Sequence, residues 1–154
     1  MRQASGSVRV YTFKEGVLSR IAHDLRLAFR TFRVDVAGER VAAVFDLDAL
    51  AVEGVMRDGA LRPDELARDQ RSEIERALRE DVLGTARHPQ ARFSGIATAE
   101  PDGARVRVAG ELDLAGRQGE VRFEAGRDEQ GVYRARFALA RSAYGIARYS
   151  ALLG

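Results

Sequence analysis

Apolar and charged residues alternate along most of this chain. Ala91, Phe93, Gly95 and Ala97 are separated by polar or variable positions. Val106, Val108, Gly110, Leu112 and Leu114 stand between Arg105, Arg107, Glu111 and Asp113. Val121, Phe123 and Ala125 continue the pattern, and Tyr133, Ala135, Phe137 and Leu139 predict a last long strand. A period of two marks strands with one apolar and one wet face, and so an antiparallel sheet. In the first half, Val8, Val10 and Thr12 predict a strand after a frayed end at residues 1–6. Leu25, Leu27 and Phe29 predict the next. Phe32, Val34 and Val36 follow one residue out of phase, which requires a bulge or corner near Arg30-Thr31. Val41, Ala43, Phe45 and Leu47 resume the alternation, and Leu50–Val55 is a further extended piece. Turns are predicted at Ala37–Arg40, Arg57–Gly59, Pro101–Gly103, Gly116–Gly119 and Asp128–Gly131.

One stretch breaks the period. Leu66, Gln70, Ile74, Leu78 and Val82 recur every fourth residue, with Ala67 and Ala77 beside them. That stripe predicts one amphipathic helix over about 63–83, opened by Pro63, with Asp64 and Glu65 at its positive end and a stop at Gly84. Asp64–Arg68, Arg71–Glu75, Glu75–Arg79 and Arg76–Glu80 are spaced for ion pairs. His88 before Pro89 marks the hinge from helix to strand. Roughly eight antiparallel strands with one wet side close naturally into a barrel, which removes exposed edges. The expected fold is an all-β, antiparallel eight-stranded barrel with one inserted helix. At 154 residues the chain makes a single domain, 1–154.

The inward phase combines small residues (Ala43, Ala91, Gly95, Ala97, Gly110, Ala125, Ala135) with Phe29, Phe45, Phe93, Phe123 and Phe137. Such a lining leaves room for one apolar chain, worth about 0.8 kcal/mol for each methylene taken from water. The competing reading is a filled interior in which the rings occupy the space the alanines leave. Arg141 falls on the inward phase of the last strand, with Tyr144 and Tyr149 nearby. It would either anchor a polar head group or pair with a carboxylate such as Asp24.

Net charge is +2, and Lys14 is the only lysine. The arginines alternate with apolar residues and form no basic stripe, so no nucleic-acid partner is expected. Cysteine is absent, which excludes disulfides and thiolate chemistry. The opening MRQASGSVRVYTF holds no long apolar run, so neither an export signal nor stable membrane insertion is expected, and a cytoplasmic protein is the default. His23-Asp24 is the most inviting pair for a general base. Neighbours on a strand point to opposite faces, however, and a structural role is the plainer reading. Metal motifs, Glu-x-x-His pairs and phosphate loops are missing, so no metal or cofactor is expected.

Several stretches resemble one family. VYTF with Gly16 is followed by SRIAHDLRL (Ser19–Leu27). FRVDV (Phe32–Val36) runs into VAAVFDLDAL (Val41–Leu50), and VLGTARHPQARFSG (Val82–Gly95) follows the helix. VRVAGELDLAGRQGEVRF (Val106–Phe123) and FALARSAYGI (Phe137–Ile146) complete the set. In this order they resemble the YceI-like family, the lipocalin-like proteins often called polyisoprenoid-binding. The resemblance implies a lipocalin-like barrel holding an isoprenoid, quinone or fatty lipid, with no catalytic constellation. The sequence departs from the family in its opening, where no export signal is expected, and in Leu114–Gly119, where relatives more often show a His-Gly-x-Thr turn.

The expected activity is therefore non-enzymatic binding or carriage of an apolar chain, with Phe29, Phe45, Phe93, Phe123, Phe137, Arg141, Tyr144 and His23 as ligand-binding residues. One alternative is a scaffold acting through protein contacts or as a homodimer. A second is a small hydrolase or isomerase using His23 and Asp24.

Overall fold

A computed structural model describes residues 2–12 and 24–146 of the chain, apart from the Arg141 side chain. Among the described residues eleven strands form two antiparallel sheets. The strands are β1 (Arg2–Ala4), β2 (Arg9–Thr12), β3 (Asp24–Phe29), β4 (Phe32–Ala37), β5 (Arg40–Asp46), β6 (Leu50–Arg57), β7 (Ala60–Arg62), β8 (Gln90–Ala99), β9 (Arg105–Leu114), β10 (Arg117–Arg127) and β11 (Tyr133–Arg134). The larger sheet runs β1-β4-β5-β8-β9-β10-β11, and the smaller β2-β3-β6-β7.

Four pieces of chain pass from one sheet to the other: three bend directly, β1 into β2, β3 into β4 and β5 into β6, and the fourth runs from β7 through a helical segment to β8. The pairing of the three barely changes across the bend. Ala4 lies opposite Val34 in the large sheet, and Arg9 lies opposite Ala28 in the small one. The corner expected at Arg30-Thr31 is one of the three bends. The Leu47–Ala49 turn makes another, capped by the Asp46 carboxylate accepting the Asp48 N–H at 3.0 Å. Backbone hydrogen bonds hold the corner, from Arg30 N–H to Ala49 O (3.3 Å) and from Asp46 N–H to Thr31 O (3.0 Å).

The closed eight-stranded barrel is not what the chain forms. Among the described residues no strand pair joins the free edges of the two sheets. Alternation reports that one face of each strand is buried; it does not report which edges meet. The last strand shows the difference. Tyr133–Leu139 keeps a perfect period of two, yet only Tyr133 and Arg134 pair with β10. The expected frayed start is likewise corrected, because Arg2–Ala4 pairs with β4. The hairpin after β9 turns at Ala115-Gly116, both with positive φ, rather than over Gly116–Gly119.

The helix is shorter than 63–83. Pro63–Glu65 is a separate 3₁₀ turn, and Leu66 and Ala67 are extended. The α-helix α1 spans Arg68–Ala77 and passes into a π-helical turn, Leu78–Leu83. Its start is fixed by the Gln70 side chain, whose Oε1 accepts the Ala67 N–H at 2.9 Å. Of the predicted stripe, Ile74 and Leu78 are buried, Leu66 and Val82 are half-buried and Gln70 is exposed. Arg76–Glu80 forms as expected, at 3.0 Å. Glu75 pairs with neither arginine; it accepts the Val52 N–H of β6.

Two apolar clusters result. Leu25, Leu27, Leu50, Val52, Val55, Ile74 and Leu78 pack between the small sheet and α1. Leu47, Ala91, Leu112, Val121, Tyr144 and Ile146 pack on the large sheet. Phe29, Val82 and Leu83 touch both.

Candidate ligand-binding face

The alternation of β8, β9 and β10 puts one set of side chains on a single face of the large sheet. Ala91, Leu112 and Val121 are buried at one end. Gly95, Ala97, Gly110, Val106, Phe123 and Ala125 are only half-buried further along, with Val108 buried among them. The face is thus filled at one end and less covered at the other, between the two readings of a hollow and a packed interior.

Phe93, Phe123 and Phe137 form a row on this face. The Phe93 and Phe123 rings lie 6.5 Å apart, and Phe137 stacks on Phe123 at 4.5 Å with 8° between the planes. Phe137 is 47% exposed. Beneath the row, Gly95 and Gly110 face each other across β8 and β9. A Cβ on Gly110 would come within 2.8 Å of the Phe93 ring and 2.6 Å of the Gly95 Cα. The Phe93 ring therefore occupies the space left by the glycines. Near Phe93, small residues do not mean a void.

Phe29 and Phe45 form a second aromatic group at the corner, 5.1 Å apart, with Phe32 6.0 Å from Phe45. Both pack against the cluster of the large sheet. Phe32, one residue out of phase with Phe29 along the chain, joins the same group across the bend between them. Tyr144 is buried beside this cluster, with its ring over Gly119. Burial pushes its phenol above the ordinary value. His23 and the Arg141 side chain lie outside the described residues. Asp24 begins β3 opposite Met56.

Two contacts escaped the sequence. The Arg136 guanidinium sits 5.1 Å from the centroid of the Tyr11 ring, a cation–π contact between the end of the chain and the edge strand of the small sheet. Arg134 bonds to Asp128 at 3.1 Å. No local pattern pairs Arg136 with Tyr11, a partner distant in the chain.

Neither of two clefts among the described residues is lined by a phenylalanine. One, of about 270 Å³, lies between Pro63, Asp64, Leu66, Arg68 and Arg71. The other, of about 440 Å³, lies between Asp48, Arg79, Glu80, Gly84, Thr85 and Ala86. Among the described residues no three His, Cys, Asp or Glu side chains gather as metal ligands, and no helix is long and apolar enough to cross a membrane.

The fold has solved relatives. The crystal structure of Burkholderia cenocepacia BcnA matches with a TM-score of 0.60 at 16% identity, over 90% of this chain and 79% of that one. The Campylobacter jejuni YceI protein matches with a TM-score of 0.54 at 10% identity, over 78% of this chain and 70% of that one. At such identities the likeness carries the fold alone. Curated proteins give no match. The model of the YceI-like domain matches residues 7–153, nearly the whole length, and the ordered motifs, the bent sheets and the solved relatives agree with it: the chain belongs to the YceI-like family.

Proposed function

We propose that this protein binds an apolar chain, such as an isoprenoid, quinone or fatty lipid, along the aromatic row of the large sheet, and that it does so without chemistry. The row Phe93–Phe123–Phe137 carries this reading. It runs from Phe93, beside Leu112 at the end closed by Leu47, Leu112, Val121 and Tyr144, through half-buried Phe123 to exposed Phe137. Each methylene laid on such a face would contribute about 0.8 kcal/mol, so a long chain needs few polar contacts. The Phe93 ring fills the space over Gly95 and Gly110, so the chain would lie against the face.

Mass spectrometry of organic extracts from freshly purified protein, together with titration of fluorescent palmitic acid, tests the proposal. A co-purified chain lipid and saturable binding weakened about tenfold or more by Phe123→Ala are expected. Protein that carries no lipid and binds no probe would end it.

The scaffold reading, which an exposed apolar patch across outer strand residues such as Val44 would favour, finds less support. Val44 is half-buried between Arg33 and Arg92, and the exposed Ile96 is flanked by Arg40 and Ala109. An isolated exposed aliphatic residue is ordinary surface.

A further inference from the structure

The piece of chain over the open end of the aromatic row is attached unusually. Upstream, β11 is tied to β10 by the pairs Gly126–Arg134 and Arg127–Tyr133. Downstream, Tyr144 and Ile146 are buried in the cluster of the large sheet. Between these anchors, residues 135–140 are exposed and, among the described residues, pair with no strand, although the β10 edge from Arg117 to Ala125 has no other strand partner there. Two side-chain contacts hold this middle part. Phe137 stacks on Phe123 of the large sheet, and Arg136 lies over Tyr11 of the small one.

From this geometry we infer that residues 135–140 are a strap, fixed at both ends, that swings off the aromatic row to admit a chain ligand from the side and then returns over it. The inference rests on the ligand reading above and adds the route of entry. Side-chain contacts at an exposed site are weak one by one, whereas a paired strand is released only with its whole ladder. The strap is therefore the cheapest part of the large sheet to move. Its return position is written in the chain. Continuing the register that sets Gly126 opposite Arg134 brings Phe137 opposite Phe123, Leu139 opposite Val121 and Arg136 opposite Glu124. The observed stacking of Phe137 on Phe123 already obeys that register. Two apolar side chains then face the row and opposite charges meet on the outer face.

The absence of native cysteine allows a direct test. The same register sets Arg122 opposite Ala138 on the outer face, away from the rings and from both holding contacts. In the Arg122→Cys/Ala138→Cys protein, oxidation should link the two positions within one chain. It should also slow uptake of fluorescent palmitic acid at least about tenfold, with reduction restoring the rate. A disulfide that fails to form, one that joins two chains, or an unchanged uptake rate would overturn the strap. Hydrogen exchange on the unsubstituted protein keeps the question separate from the ligand. The amides of residues 135–140 should exchange about a hundredfold or more faster than those of residues 108–112 in β9, which is paired on both sides. Equal protection would overturn the strap even if the probe binds. If the unsubstituted protein binds no probe, the ligand reading fails, and the exchange comparison alone decides whether the strap moves.

Discussion

The Glu75 carboxylate of α1 accepts the backbone N–H of Val52 at 2.9 Å. Val52 adjoins the slip in register between β3 and β6, where Arg26 faces Gly54 and Leu27 faces Val52. The residue skipped at the bulge is Glu53, whose carboxylate lies 2.9 Å from Arg26 and 3.4 Å from Arg9. A bulge disturbs the ladder locally, and here the helix supplies the missing acceptor. Glu75→Ala should lower stability by about 1–3 kcal/mol, because it leaves a buried N–H unsatisfied. Glu75→Gln, which keeps an acceptor oxygen, should cost less. Urea denaturation of the three proteins checks the order.

Gly110 is held by close backbone neighbours. A Cβ there would stand 2.3 Å from Ser94 O and 2.6 Å from Gly95 Cα. These are main-chain atoms of the paired strand and cannot swing aside. Gly110→Ala should therefore cost about 1–3 kcal/mol. Gly126→Ala is the control, since nothing lies within 4 Å of the added carbon. It should change stability by less than about 1 kcal/mol. Thermal denaturation separates the two, and equal losses would show that strand glycine as such, not close approach, sets the cost.

Burial raises the affinity of the Tyr144 phenol for its proton. The folded chain therefore holds that proton to higher pH than the unfolded chain does. The stabilisation is complete below the unfolded value of about 10 and is lost as pH rises through the folded value. Tyr144→Phe, which keeps the ring over Gly119, should remove that part of the alkaline loss. Unfolding midpoints measured from neutral to alkaline pH should then fall less steeply for the variant.

Asp128 is shifted the other way. Its carboxylate accepts the Val132 and Gln130 N–H groups, each at 2.9 Å, and bonds to Arg134 at 3.1 Å; hydrogen bonding holds its pKa below the ordinary range. Its contribution is present above the unfolded value and is lost as pH falls through the lower folded value. The turn that sets β11 should then loosen in acid before the rest of the large sheet. The Val132 amide, followed by NMR against pH, should report that titration, and Asp128→Asn should abolish it.

Much of the large sheet was legible in the sequence. Ala91-Phe93, Val108-Gly110-Leu112 and Val121-Phe123 announced their common face by period alone, because one buried side imposes that period on each strand separately. The corner at Arg30-Thr31 was legible for the same reason, as a break in phase. Which edges meet was not. Pairing joins residues far apart in sequence, and Tyr133–Leu139 alternates equally well whether it forms a full strand or two paired residues and a strap. The helix stripe was read correctly at Ile74 and Leu78, but the π-helical turn after Ala77 shifts the phase. That shift lets Val82 and Leu83 both reach the two cores. Glu75 was misread because its partner is a main-chain donor exposed by a bulge, and side-chain spacing along a helix carries no information about that. Of the candidate site, the phenylalanines came together in two groups, whereas the strap that covers one of them had no signature beyond its alternation.

Phe29, Val82 and Leu83 each belong to both apolar clusters. Neither arm of the bent sheet can melt without stripping these three from its neighbour. Heat or urea should consequently dissolve the molecule in a single step, with probes on either arm reporting the same midpoint. Cutting any of the three back to alanine would be the most direct way to make the arms come apart one after the other.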